Sequence, residues 1–144
     1  MIKRIAYPTD FSSFSQQVRD YVLEIAQSLD AAVYIVHAIE PLKYEEVDED
    51  IKNFYKTIEK DVDRKIEREK SIFLKHKVEV YTSVIIGTPW RVIKTFSREK
   101  DIDLIVMGSH GLETREGEIS VGSTSHKVFF STPCPILTVK EKSI

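Results

Sequence analysis

The chain has 144 residues, of which 42% are hydrophobic and 31% are charged, and its formal net charge is −2. This composition is typical of a folded globular domain and disfavours a disordered or membrane protein. Affinity for nucleic acid comes from clustered Lys and Arg, so the weak negative charge disfavours a nucleic-acid partner. No apolar run approaches the ~20 residues that a membrane-spanning helix needs, so no membrane partner is expected.

The N-terminus and the cysteine content both predict a cytoplasmic protein. Residues 1–4 lead straight into strand-like sequence, without the apolar core of a signal peptide. Cys134 is the single cysteine, so no disulfide can form within the chain. Residues 1–144 are enough to bury one hydrophobic core, and we expect them to form one domain.

Five segments have the pattern of β-strands. Residues 2–7 are mostly apolar and lead into Pro8-Thr9-Asp10, which is typical of a central strand that is buried on both faces. Residues 78–86 have Val, Thr or Ile at every second position, which predicts a half-exposed strand. The other strands are expected at 32–38, 102–107 and 135–140.

The first helix is expected between the first two strands. Ser12 and Ser13 are candidate caps, Ser13-x-x-Gln16 fits a capping box, and Asp30 marks the exit from the helix. Apolar residues recur at helical spacing and predict one buried face. That face consists of Phe14, Val18, Tyr21, Val22, Ile25, Ala26 and Leu29.

Residues 43–77 have a high charge density and a helical apolar stripe. The stripe consists of Val47, Ile51, Phe54, Ile58, Val62 and Ile66. It predicts a long amphipathic helix with a solvated outer face, and disfavours the alternative of a charged binding tail. The stripe falters at Glu69-Lys70, where we expect the helix to bend or fray.

Two further helices complete an alternating order of strands and helices. Gly87-Thr88-Pro89 supplies a turn, a cap and a proline for the third helix, and the fourth is expected at 123–131. The expected buried face of the third helix consists of Pro89, Val92, Ile93 and Phe96. The β-α-β-α-β-α-β-α-β order predicts a parallel sheet with helices on both faces. If the first and fourth strands are neighbours, Asp10 and Gly108 lie at the same crevice.

A glycine loop follows the fourth predicted strand. Gly108-x-x-Gly111 is separated by ten residues from Gly122-Ser123-Thr124, which opens the last helix. Glycines allow the backbone to approach a ligand closely, and the free N–H groups of a helix N-terminus attract negative charge. The pattern therefore predicts a phosphate-binding loop.

These segments together resemble the universal stress protein family over essentially the whole chain. The residues that carry the resemblance are Tyr7-Pro8-Thr9-Asp10-Phe11-Ser12, Val36-His37, Gly87-x-Pro89, Asp103-Leu104-Ile105-Val106-Met107-Gly108-Ser109-His110-Gly111 and Pro133-Cys134-Pro135. The resemblance implies a three-layer α/β fold, doubly wound and Rossmann-like, with a five-stranded parallel sheet in the order 3-2-1-4-5. This is the fold of the adenine nucleotide alpha hydrolase-like proteins.

The resemblance also implies an adenine-nucleotide site. Pro8, Thr9 and Asp10 would line the adenine and ribose end, and Val36 would offer backbone groups to the adenine. Gly108 and Gly111 would border the ribose and the first phosphates. Met107 is a further candidate for nucleotide binding, and His110 is a candidate phosphate contact. Gly122, Ser123 and Thr124 would hold the outer phosphates. No catalytic residue and no metal-ligating side chain is implied.

The spacer between the glycine pairs departs from the family pattern. Members that bind ATP have nine residues between G-x-x-G and G-[S/T], whereas this chain has ten. The spacer carries Glu113, Glu116 and Glu118 against Arg115 alone, and acidic side chains beside a triphosphate are unfavourable without a divalent cation. AMP, ADP, or ATP with Mg²⁺ or Mn²⁺ are therefore the expected ligands.

Several of these residues also have a structural interpretation. Asp10 is a candidate cap of the first helix, and His110 is a candidate solvated loop residue. His37 is expected to be packed or solvent-facing rather than a metal ligand, and Cys134 to be a buried turn residue. Trp90 and the Phe129-Phe130 pair are expected to serve core or interface packing.

Three functions are compatible with this sequence. The leading hypothesis is a stress-response or signalling protein that binds an adenine nucleotide and is non-catalytic or very slow on ATP. The second is a slow ATPase or phosphotransferase, although the chain lacks the lysine of a Walker motif. The third is an interaction module with an empty pocket.

The last predicted strand, from Pro135 to Lys140, is apolar until its end and would lie at an edge of the sheet. An unprotected apolar edge favours pairing with another copy. Both this pattern and the family resemblance predict a homodimer through this strand.

Overall fold

The computed structural model describes residues 1–41, 49–109 and 123–141, and the elements within them follow the predicted order. The strands are β1 (Arg4–Pro8), β2 (Ala32–Ile39), β3 (Val80–Ile86), β4 (Leu104–Gly108) and β5 (Ile136–Val139). The helices are α1 (Ser13–Leu29), α2 (Glu49–Lys75), α3 (Pro89–Glu99) and α4 (Ser123–Ser131). The predicted and observed boundaries of the five strands differ by no more than about two residues.

The five strands form one parallel sheet in the order β3-β2-β1-β4-β5. This confirms the predicted α/β fold class and strand order. The chain adds strands on one side of β1 and then returns to add β4 on the other side. The reversal lies between β1 and β4, where a crevice opens beyond the carboxyl ends of the strands.

The core has one layer on each face of the sheet. Helices α1 and α2 cover one face, where Tyr7, Val18, Val22, Ile66 and Phe73 are buried against inward-facing strand residues. Helices α3 and α4 cover the other face, whose core contains Val92, Ile93, Phe96, Ile105 and Val128. Both layers reach the crevice, so the site is supported from both sides.

Helix α1 begins and ends with specific caps. Ser12 is the N-cap, and its hydroxyl accepts a hydrogen bond from the Ser15 N–H at 3.2 Å. The predicted capping box that begins at Ser13 is therefore wrong, since Ser13 is already the first helical residue. Asp30 ends the helix in the left-handed region with φ 52°, as predicted. Tyr21 and Leu29 are 38% and 44% exposed, so their assignment to the buried face was wrong.

Helix α2 is continuous through the point where the apolar stripe falters. It reaches Lys75, and Phe73 in its last turns is fully buried, so fraying beyond Glu69-Lys70 is wrong. Glu69 faces inward, and its carboxylate is 2.6 Å from the guanidinium of Arg19 on α1. An ion pair between two helices replaces the apolar contact that the stripe would have supplied. Residues 43–48 of the predicted helix lie outside the described residues.

Helix α4 and both sheet edges present apolar side chains to solvent. Phe129 and Phe130 are 64% and 72% exposed, so the core alternative for this pair is wrong.

Trp90 and Cys134 are half-buried, and the Cys134 thiol donates to the carbonyl oxygen of Ile102 at 3.3 Å. None of the helices in the described part of the chain is long and apolar enough to cross a membrane.

Candidate functional site

A cleft of about 360 Å³ lies at the carboxyl ends of β1, β2 and β4. The structure brings eight of the eleven predicted site residues to its wall, namely Pro8, Thr9, Asp10, Val36, Met107, Gly108, Ser123 and Thr124. The other three, His110, Gly111 and Gly122, lie outside the described residues, as does the acidic spacer. Two segments about 100 residues apart in sequence therefore converge because β1 and β4 are neighbours.

The cleft wall contains residues that the sequence analysis did not assign to the site. They are Ser12, Phe14, Ser15, Val18, His37, Ala38, Glu40, Pro89, Val92, Ile93 and Ser125. Most of them belong to the first turns of α1, α3 and α4 or to the end of β2. In a parallel sheet these positions share the edge at which strands end, so the strand order alone would have indicated them.

The turn after β1 is held by its own side chains. The Thr9 hydroxyl accepts from the Phe11 N–H at 3.0 Å and donates to the Ser15 hydroxyl at 3.2 Å. One carboxylate oxygen of Asp10 accepts from the Ser12 N–H at 2.9 Å. These bonds place Phe11 in the left-handed region with φ 61°. Asp10 therefore holds the turn before the N-cap and also lines the cleft.

This turn stands on a buried polar cluster. The Tyr7 hydroxyl donates to the Ser15 carbonyl oxygen at 2.9 Å, and burial together with the negative charge of Glu69 raises the pKa of Tyr7. Burial also raises the pKa of Glu69, although the paired Arg19 lowers it. The second carboxylate oxygen of Glu69 has no hydrogen-bond partner among the described residues.

His37 lies at the end of β2 and is fixed by the turn after β1. Its Nδ1 is 2.7 Å from the carbonyl oxygen of Thr9, and because a carbonyl can only accept, Nδ1 carries the proton. The Phe11 ring packs on the imidazole with 4.5 Å between centroids, and Lys65 lies over Phe11. Burial lowers the pKa of His37 below its ordinary value, and Lys65 adds to this effect, whereas the Thr9 bond and Asp10 oppose it.

The hydrogen bonds of β2 show which of its backbone groups face the cleft. Alternate residues of a parallel strand bond to the same neighbour. Even-numbered residues face β1, because the Ala32 N–H donates to Lys3 and the Val36 carbonyl accepts from the Thr9 N–H at 3.0 Å. Odd-numbered residues face β3, since the Val33 N–H donates to Glu79 and the Ile39 carbonyl accepts from Gly87.

Ala38 is the next residue that faces the β1 side, but β1 ends at Pro8, opposite Val36. The N–H and C=O of Ala38 therefore lie beyond the last paired position, at the cleft wall. The Val36 carbonyl, by contrast, already accepts from Thr9. Ala38, rather than Val36, presents an open backbone edge.

The opposite side of the cleft is formed by β4 and α4. The Ser125 hydroxyl donates to the Gly108 carbonyl oxygen at 2.6 Å, which ties the first turn of α4 to the end of β4. Ser123 and Thr124 line the cleft at the helix N-terminus, where backbone N–H groups have no intrahelical partner. The helix dipole adds partial positive charge at this end.

The charged side chains at the described cleft wall are acidic. Asp10 and Glu40 line it, and no Lys or Arg is among the described lining residues. No group of three metal-ligating side chains exists in the described ranges. The attraction for an anion at this described wall therefore comes from backbone N–H groups and hydroxyls.

Comparison with known proteins identifies the family of this chain. The sequence model of the universal stress protein family matches residues 1–140. The chain belongs to this family. Its five-stranded parallel sheet and strand order match the structure of a family member.

Individual family members are similar over nearly the full chain. Universal stress protein MJ0531 of Methanocaldococcus jannaschii is 27% identical over 143 residues, covering 98% of this chain and 84% of that protein. The solved structure of the hypothetical protein MJ0577, from the same organism, has a TM-score of 0.91 and 27% identity, and the match covers 100% of this chain and 99% of that one.

A more distant structure shares the fold. The universal stress protein from Archaeoglobus fulgidus, solved in complex with dAMP, has a TM-score of 0.68 and 22% identity. The match covers 97% of this chain and 98% of that one.

Proposed function

We propose that this universal stress protein binds an adenine nucleotide in the cleft and acts as a non-catalytic stress-response or signalling protein. The observation that carries the proposal is the open backbone edge of Ala38 across the cleft from the N-terminus of α4. One end can pair with a base and the other can hold phosphate. The dAMP complex of the Archaeoglobus fulgidus relative supports the same ligand class.

The base would be recognised by backbone groups of β2. The Watson–Crick edge of adenine has an acceptor at N1 and a donor in its amino group. The N–H of Ala38 complements the first and its C=O complements the second. We propose this role for Ala38 in place of Val36, whose carbonyl is already bonded to Thr9.

The ribose and phosphates would continue from β1 towards β4 and α4. Pro8, Thr9 and Asp10 would line the nucleoside, and the carboxylate of Asp10 is an acceptor that suits ribose hydroxyls. Met107 and Gly108 would lie beside the first phosphate, with Ser123 and Thr124 donating to it from the helix N-terminus. His110, Gly111 and Gly122 stay candidates on the sequence pattern alone.

The charge at the described wall favours few phosphates or a bound cation. Asp10 and Glu40 repel a polyphosphate unless a divalent ion intervenes. AMP is therefore the simplest ligand, and ADP or ATP would bind with Mg²⁺ or Mn²⁺ held through the phosphates.

Thermal unfolding with adenosine, AMP, ADP, ATP and GMP, each with and without Mg²⁺, tests the proposal. A ligand at 100 times its dissociation constant adds about 2.7 kcal/mol of stability, which raises the melting temperature measurably. We expect AMP to raise it more than GMP, and Mg²⁺ to enhance the effect of ATP. A Ser123→Asp variant, which puts negative charge at the phosphate end, should lose the AMP shift and keep the adenosine shift. Absence of a shift with every adenine nucleotide would contradict the proposal.

We also propose a homodimer through β5. Leu137 is exposed on this strand, and the exposed Phe129 and Phe130 on the preceding helix enlarge the apolar surface. Odd-numbered residues of β5 bond to β4, because the Pro135 and Val139 carbonyls accept from Ile105 and Ser109. The N–H of Thr138 therefore faces the free edge.

Proline at position 138 would remove this outward N–H and leave the bonds to β4 in place. We expect Thr138→Pro to sediment as a monomer. Thr82→Pro is the matched control, since Thr82 has the same outward-facing position on β3 at the opposite edge. A dimeric Thr138→Pro protein, or a monomeric Thr82→Pro protein, would assign the interface elsewhere.

A further inference from the structure

We propose that His37 is a positioning residue that keeps the adenine-recognising backbone of Ala38 out of the sheet. The inference rests on the proposed adenine-nucleotide function. In the last bond between β1 and β2, the Thr9 N–H donates to the Val36 carbonyl oxygen at 3.0 Å. In a ladder that continued, the next bond would run from the Ala38 N–H to the Thr9 carbonyl.

The imidazole of His37 occupies that position instead. Its Nδ1–H donates to the Thr9 carbonyl oxygen at 2.7 Å, a shorter distance than the ordinary N–H···O bonds of the sheet. His37 thus satisfies the Thr9 carbonyl oxygen, to which the Ala38 N–H would otherwise donate. The N–H of Ala38 is left for a ligand.

Packing holds the ring in this orientation. Phe11, which has φ 61°, lies against the imidazole with 4.5 Å between ring centroids, and the Lys65 ammonium lies 5.9 Å from the Phe11 centroid. A left-handed backbone is unfavourable for a bulky residue, so the turn after β1 keeps Phe11 there against its own preference. The turn bonds of Thr9 and Asp10 supply the compensation.

The consequence is base specificity. Adenine presents an acceptor at N1 and a donor at its amino group, whereas hypoxanthine and guanine present a donor at N1 and an acceptor at O6. When the N–H and the C=O of Ala38 are both open, they complement adenine and do not complement hypoxanthine or guanine. If Thr9 captured the Ala38 N–H, the cleft would keep its phosphate end and lose most of this discrimination.

Two substitutions of His37 distinguish the role of its hydrogen-bond donor from the role of its aromatic ring. His37→Phe keeps an aromatic ring against Phe11 and has no donor, whereas His37→Asn loses the ring and keeps an N–H donor at the position of Nδ1. A merely structural role would respond to both changes through stability alone. The positioning role distinguishes them.

The first readout is amide hydrogen exchange at Ala38, measured by NMR without any ligand. We expect rapid exchange in the wild-type protein and in His37→Asn, and at least tenfold slower exchange in His37→Phe, where Ala38 pairs with Thr9. Slow exchange in the wild-type protein, or no slowing in His37→Phe, would overturn the proposal. If His37→Phe does not fold, two measurements on the wild-type protein test the proposal instead. Rapid amide exchange at Ala38 and a protonated Nδ1 of His37 in ¹⁵N spectra support it, and slow exchange or an unprotonated Nδ1 overturns it.

The second readout is the ratio of the dissociation constants for IMP and AMP. We expect the wild-type protein and His37→Asn to prefer AMP, and His37→Phe to lose about tenfold of that preference, the size of one hydrogen bond. An equal loss of affinity for both nucleotides in His37→Phe would overturn the proposal. If no nucleotide binds to the wild-type protein, the proposed function fails, and the exchange experiment still decides the role of His37.

Discussion

The two ends of the cleft are built by different means. At the proposed nucleoside end, Thr9, Asp10 and Ser12 bond to backbone N–H groups within one turn, and this turn rests on Tyr7 and a mostly buried ion pair. At the proposed phosphate end, the described residues show one side-chain bond from the helix to the strand, between Ser125 and Gly108. A base needs fixed donors and acceptors, whereas a phosphate accepts bonds from many directions, so the difference matches the two proposed tasks.

The ion pair between Arg19 and Glu69 offers the strongest way to disrupt the proposed nucleoside end. Arg19→Met leaves the Glu69 carboxylate without its cation; breaking a fully buried pair costs about 3–5 kcal/mol, and this is the upper bound for a pair whose side chains are 17% and 10% exposed. Burial raises the pKa of Glu69, so the folded protein holds a proton there more readily than the unfolded chain. Stability from this group is present at low pH and is lost as the pH rises through the folded pKa.

Without Arg19 the pKa of Glu69 rises further, since the cation no longer lowers it. We therefore expect urea unfolding of Arg19→Met to show a larger loss of stability at pH 8 than at pH 5. The double variant Arg19→Met/Glu69→Gln removes the charge as well and should recover much of the loss. An equal loss at both pH values would show that packing, not charge, explains the effect.

A smaller effect is expected from the turn itself. Thr9→Val keeps the shape of the side chain and removes the hydroxyl that bonds Phe11 and Ser15. Leaving such buried groups unsatisfied costs about 1–3 kcal/mol, which chemical denaturation would measure. We expect calorimetry to show weaker binding of both adenosine and AMP. A selective loss of AMP binding would place Thr9 at the phosphate end instead.

The smallest effect is expected at the phosphate end. Ser125→Ala removes one hydrogen bond to Gly108, worth about 1 kcal/mol of stability. AMP binding should weaken while adenosine binding stays unchanged, because the change affects the position of α4 and not the turn after β1. Combined with Thr9→Val, the losses of stability should add, since the two sites share no bond. A strong coupling between them would contradict the separation of the two ends.

Local patterns predicted the elements well where local chemistry decides them. The apolar run before Pro8, the Asp30 exit and the Thr88-Pro89 start all correspond to observed boundaries. The prediction that α2 frays was wrong because a residue distant in the sequence stabilises the helix at that point. Glu69 interrupts an apolar stripe without ending the helix, because Arg19, fifty residues earlier, compensates its charge.

The sequence by itself determined the order of elements and the parallel sheet, because periodicity, caps and turn residues act within a few positions of the chain. Its motifs also carried the resemblance to the family that the family model then matched. Only the tertiary structure decided that Ala38 rather than Val36 has an open backbone edge, and that His37 occupies the Thr9 carbonyl. The reason is that a strand's free hydrogen bonds depend on where its neighbour ends, and that register is a property of two distant segments and not of either one alone.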